Sequence, residues 1–397
     1  MNKLLAISSA LALTAMTVSA VAAAADKEIV VGFATAHSGW VEAYDTPAKK
    51  AALVRIDEIN TAGGLLGRKI RVVEADTKSD RAQSAKAGLK VLSEGADMMV
   101  VSCDYDFGAP AALAAEKAGK VSFFLCAEDV KAGIQGVGRH SFSGSVLAAV
   151  QGATMAEWAY NKRNVRSAYV LLDTTIEYDK GICNGFDWMI PTLKGAVVVS
   201  RDTFKNGDAS IASQITRIRN LPKPPDAIML CSYMPGAASA VRQIRAAGIN
   251  SLILNGSAMD GSYWLNAVPG LSNFAVPVQG SIYGDDPDPK VEEFNKNFEA
   301  KTGGRPASQY AYPGYVLMEL WARAVSRAGD TDGAKVVAEL EKMKNEPTPF
   351  GPRTFTKEIH HQNQARMLIS EVKNGTPHIV DSWMISQPVP LPVLLNK

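Results

Sequence analysis

Histidine and cysteine are both scarce in this 397-residue sequence, which contains five histidines and four cysteines. No two cysteines have the CxxC spacing of zinc and redox sites, and no histidine lies near a cysteine at metal-ligand spacing. His360 and His361 are adjacent, so in a strand their rings would point to opposite faces. We therefore expect neither a bound metal ion nor another cofactor.

An excess of charge of one sign is also lacking. The sequence has 42 lysines and arginines against 40 aspartates and glutamates, which gives a formal net charge of +2. Nucleic-acid-binding proteins instead concentrate basic residues on one face or along one helix. The mixed charge therefore indicates no nucleic-acid partner.

The motifs of common enzyme classes are missing as well. The sequence contains no GxSxG nucleophile elbow, no phosphate-binding P-loop and no HExxH zinc motif. We therefore expect a protein that is not an enzyme and has no catalytic residues. A hydrolase remains an alternative, because a Ser-His-Asp triad assembles in space and leaves no fixed spacing in the sequence.

A long apolar run occurs only at the start of the chain. Met1 to Lys3 is positive, Leu4 to Val18 carries no charge, and Ser19 to Ala25 consists almost entirely of small residues. This order is typical of a bacterial secretory signal peptide, and the apolar run is shorter than the ~20 residues that span a bilayer. We assign residues 1–25 to a signal peptide and expect the mature chain in the periplasm, without a lipid anchor because no cysteine follows the small residues.

Beyond this signal, short β-rich runs alternate with longer amphipathic segments. The alternation predicts βαβ units and a parallel sheet that is covered on both faces. It runs once to about residue 125 and then restarts, so the predicted fold class is α/β with two doubly wound parallel-sheet lobes. The expected helices include 45–60 (beginning at Thr46-Pro47), 80–94, 109–118, 146–160, 180–193, 211–221 and 237–247.

The last third of the chain does not form a third domain. It holds an apolar segment at 274–283, helices at 289–302, 311–328 and 334–343, and a hairpin made by 366–370 and 378–383. We interpret these pieces as completing two lobes that are joined by three hinge crossings. The expected division places residues 26–142 plus 277–350 in the first lobe and residues 143–276 plus 351–397 in the second.

The segments that directly follow the strands combine aromatic rings with carboxylates. Ligands of open parallel sheets bind beyond the carboxyl ends of the strands, so these segments are the expected site. Aromatic rings bury a large area at little entropy cost, and carboxylates suit a donor-rich or cationic ligand. An aspartate at such a turn is also a common helix cap, so both roles stay open. The candidate residues here include Trp40, Tyr44, Asp104, Tyr105, Asp106, Glu128, Tyr178, Tyr233 and Asp260.

The four cysteines are free to form disulfides in an oxidising periplasm, and three pairings are possible. Cys103 and Cys126 follow neighbouring strands of the predicted sheet. A bridge between these two is therefore one of the pairings left open, together with those that involve Cys183 and Cys231.

Several segments, taken together, carry the pattern of one protein family. They are the start at 29–39, the helix and glycine turn at 51–68, Asp76, the trio Asp173, Tyr178 and Gly181, and Gly303 to Pro306 before the tyrosine-containing helix 310–324. With these segments, nearly the whole mature chain resembles the type I periplasmic binding proteins of branched-chain and hydrophobic amino-acid ABC importers. The resemblance implies a receptor that closes on its ligand and delivers it to an ABC permease and ATPase complex in the inner membrane. We also expect the protein to be a monomer.

Carried over by position, the ligand contacts of this family fall on Tyr44, Tyr105, Ala127, Glu128, Tyr178, Tyr233 and Ser257. Family members that hold an amino acid grip its α-carboxylate with Ser or Thr hydroxyls, whereas this chain has Asp104, Asp106 and Glu128 in those segments. Ser257 stands where an acid would pair with the α-ammonium, although Asp260 is near. Carboxylates repel one another in a dry cleft. The expected ligand is a small polar molecule (an amino acid or a related amide, amine, polyol or small aromatic), and the acidic residues favour one without a carboxylate.

A soluble ligand sensor of the same fold is the alternative to a transport receptor. The two-lobed module also serves signalling proteins, and binding alone does not separate the two roles. No transmembrane helix or output domain follows the two lobes in this sequence, which favours the transport receptor.

Overall fold

The computed structural model describes residues 28–395 of the chain. The predicted signal peptide, residues 1–25, lies outside the described residues. Within the described part, no helix combines the length and apolar character needed to cross a membrane.

The first lobe is built on a five-stranded parallel sheet with the strand order β2-β1-β3-β4-β5. The order reverses at β1, and the crevice of a doubly wound sheet opens at such a switch point. Every residue of β1, β3 and β4 is buried, as expected for strands with helices on both faces. The strands are β1 (Ile29–Thr35), β2 (Ile70–Asp76), β3 (Met98–Val101), β4 (Val121–Phe124) and β5 (Ser141–Ser143).

Six helices surround this first sheet. They are α1 (Glu42–Thr61), α2 (Arg81–Ser93), α3 (Tyr105–Lys117), α8 (Pro289–Thr302), α9 (Ala311–Ala328) and α10 (Gly333–Leu340). Helix α1 packs along α9, and α2 packs along α3 on the other face of the sheet. The late helices α8 to α10 therefore return to the lobe that the start of the chain builds.

The second lobe is built on a seven-stranded sheet with the order β12-β11-β10-β9-β8-β6-β7. Strands β6 to β10 pair in parallel, whereas β11 pairs antiparallel with both β10 and β12. The predicted terminal hairpin is therefore confirmed, and it makes this sheet mixed. The strands are β6 (Ser167–Asp173), β7 (Val197–Phe204), β8 (Ala227–Cys231), β9 (Leu252–Leu254), β10 (Phe274–Val278), β11 (Met367–Lys373) and β12 (Thr376–Trp383).

The helices of the second lobe are α4 (Ala148–Lys162), α5 (Glu177–Met189), α6 (Ala212–Arg219), α7 (Gly236–Ala246) and α11 (Leu391–Leu394). Helices α4 and α5 approach each other closely through two glycines. A Cβ atom on Gly152 would lie 1.9 Å from the Ile182 carbonyl oxygen, and one on Gly185 would lie 1.8 Å from the Ala149 carbonyl oxygen. This close packing holds the position of α5 relative to α4 within the second lobe.

The starts of three helices differ from the sequence prediction. Helix α1 begins at Glu42 and carries Pro47 inside it, whereas the prediction began it at Thr46-Pro47. Helix α3 begins at Tyr105 rather than Ala109, and α5 begins at Glu177 rather than Lys180. In each case residues interpreted as a loop after a strand already form the first helical turn. At α3 and α5 a carboxylate accepts a hydrogen bond from a free backbone N–H of that turn: Asp104 from Phe107, and Asp106 from Glu177.

The structure pairs the four cysteines as Cys103–Cys126 and Cys183–Cys231. The bridge between Cys103 and Cys126 was one of the pairings left open by the sequence, and it is confirmed. It joins the segments that follow β3 and β4, while the second bridge joins helix α5 to the end of β8. The first disulfide therefore ties together two turns at the carboxyl ends of its strands, and the second ties helix α5 to the sheet of its own lobe.

Candidate functional site

A cavity lies between the two lobes, beyond the carboxyl ends of their strands. Its walls enclose about 410 Å³, part of it open to solvent. This is the position at which open α/β sheets bind ligands. The lining residues are Trp40, Tyr44, Cys103, Asp104, Tyr105, Cys126, Ala127, Glu128, Asp129, Ile176, Tyr178, Tyr233, Ala258 and Tyr310.

Two turns of the first lobe supply the acidic wall of the cavity. The turn after β3 presents Asp104, whose Oδ1 caps helix α3 by accepting a hydrogen bond from the Phe107 N–H at 3.2 Å. The turn after β4 presents Glu128 and Asp129. The Cys103–Cys126 disulfide ties the two turns together, so their carboxylates are held at one end of the lobe.

Three turns of the second lobe supply the opposite wall. Tyr178 stands in the first turn of α5, Tyr233 follows β8, and Ala258 follows β9. The Tyr178 hydroxyl accepts a hydrogen bond from the Ala258 N–H at 3.1 Å and donates to Oε1 of Gln151 at 3.4 Å. These contacts hold the ring at the cavity wall.

Hydrogen bonds close the cleft by joining the two lobes directly. The Met234 N–H donates to the Tyr44 hydroxyl at 2.9 Å, and the Glu177 N–H donates to Oδ2 of Asp106 at 3.0 Å. At the mouth of the cleft, Nζ of Lys131 lies 2.8 Å from Oε2 of Glu177. The structure therefore represents a closed arrangement of the lobes.

Glu128 is the centre of a buried network that also crosses the cleft. The Ser257 hydroxyl lies 2.8 Å from both carboxylate oxygens, and the Tyr310 hydroxyl donates to Oε2 at 3.1 Å. Burial raises the pKa of Glu128 to about 7, while the hydrogen bonds from Ser257 and its neighbours act in the opposite direction. The protein thus supplies donors to this carboxylate and uses it to join the lobes.

Asp129 has a different environment from its neighbour. Its Oδ1 accepts a hydrogen bond from the Lys131 N–H at 2.7 Å, whereas its Oδ2 is buried without any partner among the described residues. Burial raises the pKa of Asp129 to about 7. Burial and the nearby charges of Asp106 and Asp129 also raise the pKa of Asp104 well above its usual value. This end of the cavity therefore carries acidic groups whose ionisation is costly when no cation is present.

Aromatic rings make up most of the remaining wall. The Trp40 and Tyr233 rings, one from each lobe, lie 4.7 Å apart between centroids, and the Tyr44 and Tyr310 rings lie 5.8 Å apart. Rings of this kind bury a large area of a small ligand, and their faces favour positive charge.

The cavity brings together eight of the eleven residues that the sequence singled out. They are Trp40, Tyr44, Asp104, Tyr105, Ala127, Glu128, Tyr178 and Tyr233. The other three are not part of the cavity wall: Asp106 bonds to Glu177 and Arg81, and Ser257 bonds to Glu128. Asp260 is buried further away, where it accepts hydrogen bonds from the Gln309 N–H and the Tyr283 hydroxyl.

Six lining residues were not among the predicted contacts, and two of them are the disulfide-bonded Cys103 and Cys126. Asp129 and Ala258 adjoin predicted residues, and Ile176 precedes helix α5. Tyr310 reaches the cavity from the start of α9, more than 180 positions after Glu128. A tyrosine before an amphipathic helix was the only available signal for Tyr310, and the sequence does not show which lobe that helix joins.

The comparison with known families matches residues 28–377 to the family described as periplasmic binding protein. Among curated relatives, the Leu/Ile/Val-binding protein homolog 3 of Brucella melitensis is 24% identical over 341 residues, covering 84% of this chain and 89% of that protein. The match therefore includes both lobes of the described structure.

Solved structures show the same fold. The branched-chain amino acid transporter substrate-binding protein of Streptococcus pneumoniae, in complex with isoleucine, superposes with a TM-score of 0.78 at 26% identity and covers 90% of this chain and 99% of its own. A solute-binding protein of an ABC transporter from Rhodopseudomonas palustris, in complex with 3,4-dihydroxybenzoic acid, superposes with a TM-score of 0.73 at 18% identity and covers 92% and 99%. The ligands of these two proteins differ in shape, although both carry a carboxylate.

Proposed function

This chain belongs to the periplasmic binding protein family, and from that premise we propose that it is the ligand-binding receptor of an ABC importer. It captures one small molecule in the cleft between its lobes and delivers it to a permease and ATPase complex in the inner membrane. The observation that carries this proposal is the cavity walled by both lobes and closed by hydrogen bonds between them. The family match supports the periplasmic location, and the name of the Streptococcus pneumoniae relative, a transporter substrate-binding protein, supports the role in transport.

The mechanism we propose is hinge closure. The hinge consists of three crossings, which we place between β5 and α4, between β10 and α8, and between α10 and β11, because the divisions expected at 142/143 and 276/277 would cut strands β5 and β10. A ligand that contacts both walls stabilises the closed state relative to the open state, and the permease recognises the closed state. No chemical step is needed, because the ATPase supplies the energy for transport.

The arrangement of the histidines supports a binding role over hydrolysis. All five histidines lie within the described residues, and none of them lines the cavity. His360 is buried against the Phe142 ring, and burial lowers the pKa of His361 to about 3. A Ser-His-Asp arrangement that uses the cleft therefore has no histidine within reach.

The test is a thermal-shift screen of the mature protein against amino acids, amides, amines, polyols and aromatic acids. A ligand present at 100 times its Kd stabilises the folded protein by about 2.7 kcal/mol, which raises Tm by several degrees. We expect one of these classes to give a clear shift and a smaller radius of gyration in solution scattering. If no class stabilises the protein, the receptor proposal fails.

The Tyr178→Phe variant tests the assignment of the cleft. Loss of this hydroxyl breaks the contacts to Ala258 and Gln151, so we expect the affinity for the ligand that binds the parent to fall roughly five- to tenfold. The matched control is Tyr160→Phe, since the Tyr160 hydroxyl only donates to the Lys194 carbonyl on the surface. Equal weakening by both variants in titration calorimetry would argue against this cleft.

A further inference from the structure

The cavity wall carries three carboxylates but no side-chain cation. Asp104, Glu128 and Asp129 line it, and no lysine or arginine within residues 28–395 does. The lysine beside it, Lys131, is engaged at the mouth with Glu177 at 2.8 Å. The acidic groups of the wall are therefore not neutralised from inside the cavity.

Two of these carboxylates already have donors from the protein. Glu128 receives hydrogen bonds from Ser257 and Tyr310, and Asp104 caps helix α3. Both therefore have structural roles that do not require a ligand.

Asp129 is the exception. Asp129 is only 2% exposed, and its Oδ2 has no hydrogen-bond partner within the described part of the chain. A buried acceptor without a donor costs free energy, and a buried carboxylate costs more than a neutral group. A ligand that donates an N–H to Oδ2 would remove this cost.

The same wall does not fit a metal ion. No group of three or more His, Cys, Asp or Glu side chains in residues 28–395 is arranged to hold one. A carboxylate oxygen without a donor, in a wall that also carries the rings of Trp40, Tyr44 and Tyr233, instead matches an organic cation, because ring faces attract positive charge.

We infer that the ligand is a small organic ammonium ion, which donates an N–H to Oδ2 of Asp129 and packs its apolar part against the aromatic rings. This inference rests on the proposed receptor function and specifies its ligand class. A free carboxylate on the ligand would face Asp104 and Asp129 without a cation to pair with. The site therefore selects against the zwitterionic and anionic ligands found in the structural relatives.

Binding is then coupled to the ionisation of Asp129. The titratable groups that face it from the neighbouring segments are Asp104, Tyr105, Asp106, Lys131 and Glu177. Because burial raises the pKa of Asp129 to about 7, an incoming ammonium ion displaces the proton that this group holds near neutral pH. The affinity for the cation therefore rises as the pH increases from about 6 to about 8, and protons are released on binding.

The experiment is titration calorimetry of the mature protein with five probes that separate charge from shape. Benzylamine, benzyltrimethylammonium, benzyl alcohol and benzoate share one ring, and isoleucine represents the amino acids. We expect benzylamine to bind most tightly. Benzyltrimethylammonium should bind about tenfold more weakly, because it has no N–H to donate.

Three variants test whether benzylamine binds at Asp129 in the cleft. Asp129→Asn should weaken benzylamine binding roughly ten- to a hundredfold by removing the charge with little change of shape. Asp187→Asn is the matched control, since Asp187 pairs with Arg201 on the surface, and it should bind as the parent does. Should Asp129→Asn fold poorly, the parent alone gives the second readout: proton release, measured in two buffers of different ionisation enthalpy. Tyr178→Phe should also weaken benzylamine binding if benzylamine binds in the cleft.

The outcomes separate this inference from the receptor proposal. Tighter binding of benzoate or isoleucine than of benzylamine, weakened by Tyr178→Phe, would overturn the ammonium inference and leave the receptor function intact. Benzylamine binding that is unchanged by Asp129→Asn and releases no protons would also overturn it. Binding of none of the five probes would overturn the ammonium inference, and the thermal-shift screen over all the ligand classes would then decide the receptor proposal.

Discussion

Glu128 and Asp129 show how adjacent residues of the same chemical type take different roles. The Glu128 carboxylate is surrounded by hydroxyl donors from both lobes, while one oxygen of Asp129 is left without a donor in the cavity wall. Burial raises the pKa of both to about 7. The charge of this pair therefore depends on the pH and on what occupies the cleft.

The raised pKa of Asp129 makes the stability of the ligand-free protein depend on pH. In the ligand-free protein the pKa of Asp129 is raised from 3.8 to about 7, so the folded state binds a proton that the unfolded state releases. This contribution is fully present below about pH 4 and is lost as the pH rises through about 7. We expect Asp129→Asn to leave the stability unchanged near pH 4. Near pH 8 it should raise Tm, with an increase of up to a few kcal/mol in the unfolding free energy.

Thermal denaturation at several pH values measures this effect, with Asp187→Asn as the control that should follow the parent. A Tm of Asp129→Asn that falls below the parent at pH 8 would show that the protein already stabilises the ionised form. In that case the free oxygen would not be available to a ligand.

At the scale of the elements, helix α5 links the cleft to the body of the second lobe. Its first turn holds Tyr178 and receives Asp106 from the other lobe, and its middle packs on α4 through Gly185. The Cys183–Cys231 disulfide fixes the same helix to the end of β8. Helix packing and ligand binding therefore depend on the same element.

The substitution Gly185→Ala tests this packing. The added Cβ would lie 1.8 Å from a backbone oxygen of α4, which does not move as a flexible side chain does. We expect a loss of about 1–3 kcal/mol in unfolding free energy, together with weaker ligand binding because α5 shifts. Gly207→Ala is the control, since no atom lies within 4 Å of its added Cβ. Urea denaturation that finds the two variants equally stable would contradict the close approach of α4 and α5.

At the scale of the whole molecule, the closed form is held by hydrogen bonds between the lobes and by the contact of the Trp40 and Tyr233 rings. Tyr44 to Met234, Asp106 to Glu177 and Glu128 to Ser257 each pair groups from opposite sides of the cleft. A ligand that contacts both walls adds to these contacts and shifts the equilibrium further toward the closed state.

The substitution Ser257→Ala removes one of these contacts without changing the cavity wall. A hydrogen bond to a charged group contributes about 1.5–3 kcal/mol, so the open state should gain population and the apparent Kd should rise about tenfold or more. Small-angle scattering should show a larger radius of gyration for the ligand-free variant. Ser326→Ala removes a hydroxyl that bonds only within α9 and should leave both quantities unchanged. An unchanged radius and Kd for Ser257→Ala would mean that this contact does not contribute to closure.

The sequence alone determined the α/β class, the two lobes and the position of the site at the strand ends, because hydrophobic periodicity and turn residues are local signals. It placed Tyr44, Tyr105, Glu128 and Tyr178 at the cleft for the same reason. It did not place the starts of α1, α3 and α5. At α5 the first N–H donates to Asp106 of the other lobe, a contact that no local signal reveals.

Only the tertiary structure decided which groups are paired and which are free. Tyr310 and Ser257 reach Glu128 across more than 120 positions of sequence, while Asp260 turns to Gln309 instead of the cavity. The Tyr310 contact is set by the packing of α9 within the first lobe, and the Ser257 and Gln309 contacts are set by the docking of the two lobes. The free oxygen of Asp129, on which ligand selection rests, exists because that docking brings no donor to it.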